Sequence, residues 1–492
     1  MSGLGSVFST LSSAFRRTPA NDNIALVRQD QLASQTRYTC DMQNGINGSA
    51  NHSTTLGTDG QVHDVTDAGS NLDETPSDNG TSSAWQAGWN VGNCMQGIGI
   101  LSLPYTVKEG GTAALVTMAV VLLIGNYTSK ILVRCMYEEK IVYAEEDQSS
   151  RIVKHKVRKT YADIADACFT GGSKVLNIMQ LIDIVAVATL YLELAGHLLV
   201  DTFPFLKIST LAWTIICALL LLPTVFFKTL TNISWLSLVA IFSLILMFSS
   251  VVWYSLDNTI RWDLSSMPGF RLDSYSLSSS IILFNFGCQF LVPSVEQSLK
   301  DKSRFDPMVN WTYLITGVLN LSYAFFAFLT FGEDTREFIT YNMPLGLLQA
   351  SVSLMFVIKS LLSYPLMIFL IVNTVDALGL SYIPNCFGQR DGESPSKWAY
   401  IFRILLVMFT LLLAVVVPHF TLLMGFTGSL TAPWLDFIFP CLFHLKLRKD
   451  RLSYWTIAIN WGVIFVGVIG GVIGLVYSTV QLVQAIWIDL IS

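Results

Sequence analysis

The chain has 492 residues, of which 52% are hydrophobic and only 13% are charged. Soluble proteins carry about 25% charged residues, so this composition excludes a soluble globular protein and indicates a chain whose solvent is the lipid bilayer. The net charge of −5 is accounted for by residues 1–83, and the remaining chain is electrically balanced. Nothing in that balance points to nucleic acid or to another strongly charged partner.

Residues 1–83 are rich in Ser, Thr, Asn and Gly and poor in aromatic residues, so we predict a disordered N-terminal tail. No positively charged start leads into an apolar run with a cleavage site, so no signal peptide is predicted. Residues 84–492 are predicted to form one transmembrane domain. It contains about eleven apolar runs of about 20 residues, the length that a bilayer needs. They lie near 84–107, 111–133, 174–200, 208–226, 232–256, 278–299, 307–331, 346–375, 398–418, 419–443 and 454–483.

Lys and Arg are concentrated in alternate loops, which follow the second, sixth and tenth runs. These loops carry Arg134, Lys140, Arg151, Lys154, Lys156, Arg158, Lys159, Lys174, Lys300, Lys302, Arg304, Lys446, Arg448, Lys449 and Arg451. Loops with many basic residues stay in the cytoplasm. The sequence therefore predicts a multi-pass protein with a cytoplasmic N-terminus.

The first run, 84–105, is interrupted by Gly92, Gly97, Gly99 and Pro104. A broken helix is tolerated in lipid only where the break lines a protein cavity and its free backbone groups meet a polar partner. In transporters that partner is the substrate. The alternative is an unbroken helix whose small residues allow close packing.

The sixth run is interrupted in the same way, by Asn285, Gly287 and Pro293. Two broken helices five spans apart predict two inverted five-helix repeats plus an eleventh helix, with the substrate site between the breaks. Backbone N–H groups at the first break suit a carboxylate, and carbonyl groups around Phe286 suit an ammonium group. The predicted substrate is therefore a zwitterion, such as an amino acid.

Four ionisable residues within the spans are candidates for proton coupling: Asp183, Glu193 and His197 in the third span and Lys359 in the eighth. Inserting each charge at the centre of a membrane helix costs about 2.5–3.5 kcal/mol, so the presence of these residues needs an explanation. Glu193 and His197, at i and i+4, can meet on one helix face, and histidine titrates near neutral pH. The alternative is that these residues pair with one another, Lys359 with a carboxylate, and only hold the bundle together.

The motifs at these positions resemble those of the amino acid/auxin permease family, and within it the branch that loads inhibitory amino acids into vesicles. The matching segments are 87–91 (Ala-Gly-Trp-Asn-Val), 96–97, 103–105, 127–132, 137–139, 291–296, 359–365 and 417–431.

The resemblance implies an all-α, LeuT-like 5+5 inverted repeat with discontinuous helices 1 and 6. It also implies exchange of cytosolic GABA or glycine for lumenal protons in the synaptic vesicle membrane, with dependence on a vesicular proton pump. Substrate contacts are then expected at Asn93, Gly97, Ile98, Gly99, Tyr105, Phe286 and Gly287. The chain departs from the family pattern at Gly99, where a bulky Phe is expected, and at Asp436, where an apolar residue is expected. The preference among GABA, glycine and β-alanine therefore stays open.

Two other functions fit the sequence: a plasma-membrane or lysosomal amino acid/proton symporter, and an amino-acid sensor that does not transport. An enzyme is not predicted, because the sequence has no phosphate-binding glycine loop, no nucleophile elbow and no zinc-ligand spacing. The eight cysteines are scattered and form no metal-binding pattern. We therefore expect no cofactor and no metal.

Overall fold

A computed structural model of the protein describes residues 80, 82–143, 150–223, 234–262, 270, 272–344, 346–379 and 397–491. The predicted disordered tail lies almost entirely outside these residues. The described elements are, in chain order, α1 (Ala84–Met95), α2 (Leu103–Arg134), β1 (Tyr137–Tyr143), β2 (Ser150–Lys156), α3 (Tyr161–Cys168), α4 (Gly172–Thr202), α5 (Thr210–Leu221), α6 (Ser234–Asp257), α7 (Leu272–Phe286), α8 (Val292–Ser298), α9 (Phe305–Phe331), α10 (Leu347–Ala377), α11 (Lys397–Val416), α12 (Phe420–Leu430), α13 (Phe439–Leu447) and α14 (Tyr454–Ile491).

The first and sixth crossings are both discontinuous. In the first, α1 ends at Met95, a 3₁₀ turn occupies Ile98–Ser102, and α2 continues from there. In the sixth, α7 ends at Phe286 and α8 begins at Val292. Glycine, asparagine and proline interrupt both runs where the sequence placed them, so the predicted all-α membrane architecture with discontinuous helices 1 and 6 is confirmed.

Seven helical segments in the described part of the chain are long and apolar enough to cross a membrane. Their outward faces carry large apolar side chains, such as Leu123 on α2 and Phe465 on α14, that are exposed in the isolated chain. A soluble protein rarely exposes apolar surface of this extent. Lipid is the solvent that such faces need.

The centre of the bundle brings the two broken crossings together. Helix α2 packs on α7 and α9, α12 packs on α7, and α10 packs on α4. Hydroxyl groups join the close-packed helices: Ser278 Oγ on α7 donates a hydrogen bond of 2.8 Å to the carbonyl oxygen of Thr106 on α2. Small hydroxyl residues allow this approach and satisfy backbone groups without water.

Several boundaries differ from the predicted spans. The last part of the first run and the whole second run form one element, α2, which is kinked at Gly111, whose φ is 57°. The sixth begins at Leu272 rather than near 278, because the polar residues ahead of the apolar run include Asp273, which stabilises the helix N-terminus. The tenth crossing is interrupted by a π-helical turn, Pro433–Ile438, which hydrophobicity does not reveal.

An antiparallel hairpin of β1 and β2 follows α2, where the sequence suggested only a basic loop. It lies at the end of the bundle where α1 begins. We call this end the tail side and the opposite end the far side. The Lys and Arg residues concentrated in the loops at the tail side predict that this side is cytoplasmic.

Candidate functional site

The break between α1 and α2 leaves backbone groups free in the middle of the bundle. Gly97 has an extended conformation (φ −66°, ψ −153°), and no side chain caps the turn that starts at Ile98. The first N–H groups of a helical turn have no partner inside the helix, so they are available to an anion.

Lys359, on α10, is tied to this break. Its Nζ donates a hydrogen bond of 2.8 Å to the carbonyl oxygen of Gln96, and the residue is buried. The alternative in which Lys359 pairs with a carboxylate is wrong for this structure, because its ammonium group binds a carbonyl that the unwound backbone leaves open.

The break between α7 and α8 is held by the side chain of Gln289. Its Oε1 accepts from the backbone N–H of Cys288 at 3.0 Å, and its Nε2 donates to Thr128 Oγ1 at 2.9 Å. One side chain thus satisfies the backbone of its own break and links it to α2. This role was not predicted from the sequence.

The two breaks meet at Asn285 and Gly99. A Cβ atom on Gly99 would lie 2.7 Å from Asn285 Oδ1, so only glycine permits this approach. Asn285 is buried, and neither its Oδ1 nor its Nδ2 has a hydrogen-bond partner within the described residues. Buried polar atoms without partners are rare, so such an amide at the junction points to a ligand. The sequence does contain a sign of this role, because a polar asparagine interrupts the apolar run Leu-Phe-Asn-Phe.

Two carboxylates flank the junction. Asp183 on α4 accepts a hydrogen bond of 2.7 Å from Thr431 Oγ1. Asp436, in the π-helical turn, accepts from the backbone N–H of Gln289 at 3.4 Å. These two contacts join the third, sixth and tenth crossings. Nothing in the sequence indicates that these three crossings meet.

The other predicted contact residues surround the same junction. Ile98 and Phe286 are buried beside the breaks, and Gly287 opens the second break. Asn93 lies on the last turn of α1, and its buried Oδ1 has no hydrogen-bond partner within the described residues. Tyr105 lies beyond the junction, at the far side, where it lines a cavity.

That far-side cavity has a volume of about 490 Å³. Its lining comprises Tyr105, Lys108, His197, Glu333, Asp334, Thr335, Arg336, Glu337, Phe338 and Tyr341. His197 Nε2 lies 3.8 Å from Glu193 Oε1, and the other ring nitrogen lies 3.3 Å from the hydroxyl of Tyr341. Glu193 and His197 thus do meet, and the histidine connects a buried carboxylate to the cavity.

The tail side, in contrast, is closed by backbone pairing. The N–H of Ser82 donates to the carbonyl oxygen of Ser298 at 2.8 Å, and the N–H of Lys300 donates to that of Ser82 at 3.1 Å. The segment before α1 is therefore fastened to the end of α8. We call this pairing the strand bridge.

A second contact closes the tail side over Glu296, at the end of α8. The buried carboxylate accepts from the hydroxyl of Tyr137 and from Lys156 Nζ, the latter at 2.6 Å. Burial and this hydrogen bond raise the pKa of the Tyr137 phenol, so it remains a donor throughout the physiological range. We call Tyr137, Lys156 and Glu296 the latch; it couples the hairpin to the second broken helix.

The described residues hold no group of three or more His, Cys, Asp or Glu side chains arranged to bind a metal ion. The candidate site is made of free backbone N–H groups, the buried ammonium of Lys359, the carboxylates of the partly buried Asp183 and the buried Asp436, and the amide of Asn285, which has no hydrogen-bond partner within the described residues.

Comparison with known proteins identifies the family of the chain. The family model described as transmembrane amino acid transporter protein matches residues 80–483. A vesicular inhibitory amino acid transporter of Xenopus tropicalis is 37% identical over 82% of this chain and 78% of its own. The protein of the same name from Homo sapiens is 36% identical over 82% and 77%, and a vesicular GABA transporter of Caenorhabditis elegans is 32% identical over 82% and 81%.

Among solved structures, the inward-facing conformation of Mhp1 aligns with a TM-score of 0.49 at 11% identity, over 86% of this chain and 96% of that one. A substrate-bound, Na⁺-coupled sialic acid symporter aligns with a TM-score of 0.46 at 14% identity, over 82% and 91%. The family match spans most of the chain, and the resemblance read from the motifs is confirmed by it and by relatives more than 30% identical. The chain belongs to the transmembrane amino acid transporter family.

Proposed function

We propose that this protein loads GABA, glycine or both from the cytosol into acidic synaptic vesicles, in exchange for lumenal protons. Relatives named for vesicular transport of inhibitory amino acids or of GABA, which match over most of their length, support this assignment. The far side would then face the lumen, and the tail side the cytosol.

The observation that carries the proposal is the junction of the two breaks. One break offers uncapped N–H groups at Ile98, with the Lys359 ammonium beside them. The other offers carbonyl groups and the carboxylate of Asp436. Opposite charges at the two breaks complement a zwitterion better than they complement an anion or a cation alone.

Proton coupling rests on Glu193 and His197. The carboxylate is buried in the membrane interior, and the imidazole reaches the far-side cavity. Buried ionisable residues in membrane spans mark proton relays, and His197 connects this pair to the far-side cavity. Asp183 and Lys359, at the junction itself, are the further candidates for sensing the proton.

The available driving force is sufficient for exchange. A tenfold proton gradient supplies about 1.4 kcal/mol, and a potential of about 100 mV adds about 2.3 kcal/mol per charge. One proton leaving for each zwitterion entering could sustain an accumulation of about 500-fold. A vesicular proton pump is the partner that this scheme requires.

The test is uptake of radiolabelled GABA, glycine and proline into proteoliposomes with imposed pH gradients of either direction, with and without a proton ionophore. Exchange predicts accumulation when the interior is acidic and loss of accumulation with the ionophore. Accumulation only when the exterior is acidic would identify a symporter instead. Binding without accumulation in any gradient would identify a sensor, and removal of residues 1–79 would then abolish its output.

A further inference from the structure

Asp436 lies in an unusual piece of backbone. The π-helical turn Pro433–Ile438 separates α12 from α13, and Asp436 is buried within it. π-helical turns are rare and occur frequently at functional sites, because they displace one residue out of the helical register. Here the displaced register places a carboxylate against another crossing.

The carboxylate of Asp436 lies directly on the break between α7 and α8. Its Oδ1 accepts from the N–H of Gln289, and a Cβ atom added to Gly287 would lie 2.6 Å from its Oδ2. The glycine therefore provides the space through which the carboxylate reaches the unwound backbone. A side chain at this position would separate the two.

No ion pair joins Asp436 to a Lys, Arg or His in the part of the chain that the structure describes. Lys359, the buried ammonium of the junction, donates to Gln96 instead. The other carboxylate that flanks the junction, Asp183, accepts from Thr431 and brings no positive charge. An uncompensated carboxylate in the membrane interior is costly and requires a cation or a proton.

Asn285 gives an independent indication of what occupies this space. Its amide is buried between the breaks, with both polar atoms lacking partners within the described residues, and its Oδ1 points at Gly99. An amide can accept from an ammonium and donate to a carboxylate. A solute with both groups would satisfy Asn285 and Asp436 together.

We infer that Asp436 binds the ammonium group of the transported solute at the break between α7 and α8. The inference rests on the proposed transport of a zwitterion and assigns the residue that binds its amino group. The solute must carry a free amino group as well as a carboxylate, and an analogue that lacks the amino group is rejected because it leaves Asp436 uncompensated.

The deciding variant is Asp436→Asn in the full-length protein. Asparagine has the same shape and keeps the oxygen that accepts from Gln289, so only the charge is removed. We expect the half-saturation concentration for GABA uptake to rise about tenfold or more, the usual loss when a charge-assisted hydrogen bond is removed. Thermal stabilisation by GABA should fall toward that given by butyrate, which is GABA without its amino group. The matched control is Asp306→Asn, a half-exposed carboxylate at the tail side, which should change neither measurement.

Wild-type half-saturation and unchanged discrimination between GABA and butyrate in Asp436→Asn would overturn the inference. Should that variant not fold, Gly287→Ala tests the same contact from the other side, because its methyl group displaces the carboxylate while keeping its charge. Unchanged GABA affinity in that folded variant would also overturn the inference. Failure of the proposed function is a separate result: the wild-type protein would accumulate neither GABA nor glycine in either gradient.

Discussion

The two ends of the bundle differ in how far they are closed, whereas the two broken crossings are interrupted in a similar way. At the tail side, the strand bridge fastens the segment before α1 to the end of α8, and the latch fastens the hairpin to α8. At the far side, a cavity of about 490 Å³ lies between charged loops and reaches His197. Alternating access needs the two ends to open in turn. The comparison teaches that the tail side depends on a few specific polar contacts, each of which can be removed.

The largest effect is expected from Glu296→Ala. The variant leaves the ammonium of Lys156 and the hydroxyl of Tyr137 without their shared partner, which costs the closed state about 2–3 kcal/mol. Opening at the tail side should therefore be favoured about 30- to 150-fold. The measurement is labelling of Cys94 on α1 by an impermeant thiol reagent from the tail side, followed by mass spectrometry.

The matched control is Glu138→Ala, in the same hairpin. Its partner is Arg158, but its own side chain is 47% exposed, and exposed ion pairs contribute little. Labelling of Cys94 that rises equally in both variants would mean that the hairpin as a whole, and not the latch, closes the tail side.

The next effect is expected at the far side, from Glu193→Gln. Removal of the buried charge should lower uptake driven by a pH gradient about tenfold, while GABA binding changes less than about twofold, because the residue lies away from the junction. The measurements are gradient-driven uptake and ligand-dependent thermal stabilisation. Glu333→Gln, an exposed residue of the same cavity, is the control. Wild-type uptake in Glu193→Gln would make that carboxylate structural.

A smaller effect is expected from Tyr137→Phe. The variant removes one of the two donors of the latch and keeps the ion pair of Lys156 with Glu296. The closed state should lose about 1 kcal/mol, so Cys94 labelling should rise about fivefold. No increase would assign the whole latch to the ion pair.

The smallest effect is expected from Asp301→Asn, beside the strand bridge. Hydrogen bonds from Ser303 lower the pKa of this exposed carboxyl below its usual value of 3.8. Its contribution to stability is complete above that usual value and is lost only as the pH falls through the lowered one. The unfolding temperature of wild type minus variant should therefore stay constant from about pH 5.5 to about pH 7.5. A difference that varies across this range would indicate another coupling.

The breaks in the first and sixth crossings were predictable because their cause is local. Glycine, asparagine and proline weaken a helix wherever lipid offers no water to repair it, and Gly97 and Gly287 lie at the observed interruptions. The contact between Glu193 and His197 was predictable for the same reason, because residues four positions apart lie next to each other on one face of a helix.

The remaining contacts could not be predicted, because they join residues far apart in the sequence. Lys156 was counted only as a basic loop residue, yet it binds Glu296 across 140 positions. Asp436 was recognised as an unexpected acid, but the π-helical turn that directs it to Gly287 leaves no signature in hydrophobicity. For Lys359 the sequence offered proton coupling or pairing with a carboxylate, and neither pointed to its hydrogen bond with the unwound carbonyl of Gln96.

The strand bridge has one more consequence. Ser82, which pairs with α8, is also the residue through which the first 79 positions are joined to the membrane domain. The strand bridge and the attachment of the N-terminal tail thus use the same short stretch of backbone. A protein that binds or modifies residues 1–79 therefore acts on the strand bridge without touching the solute.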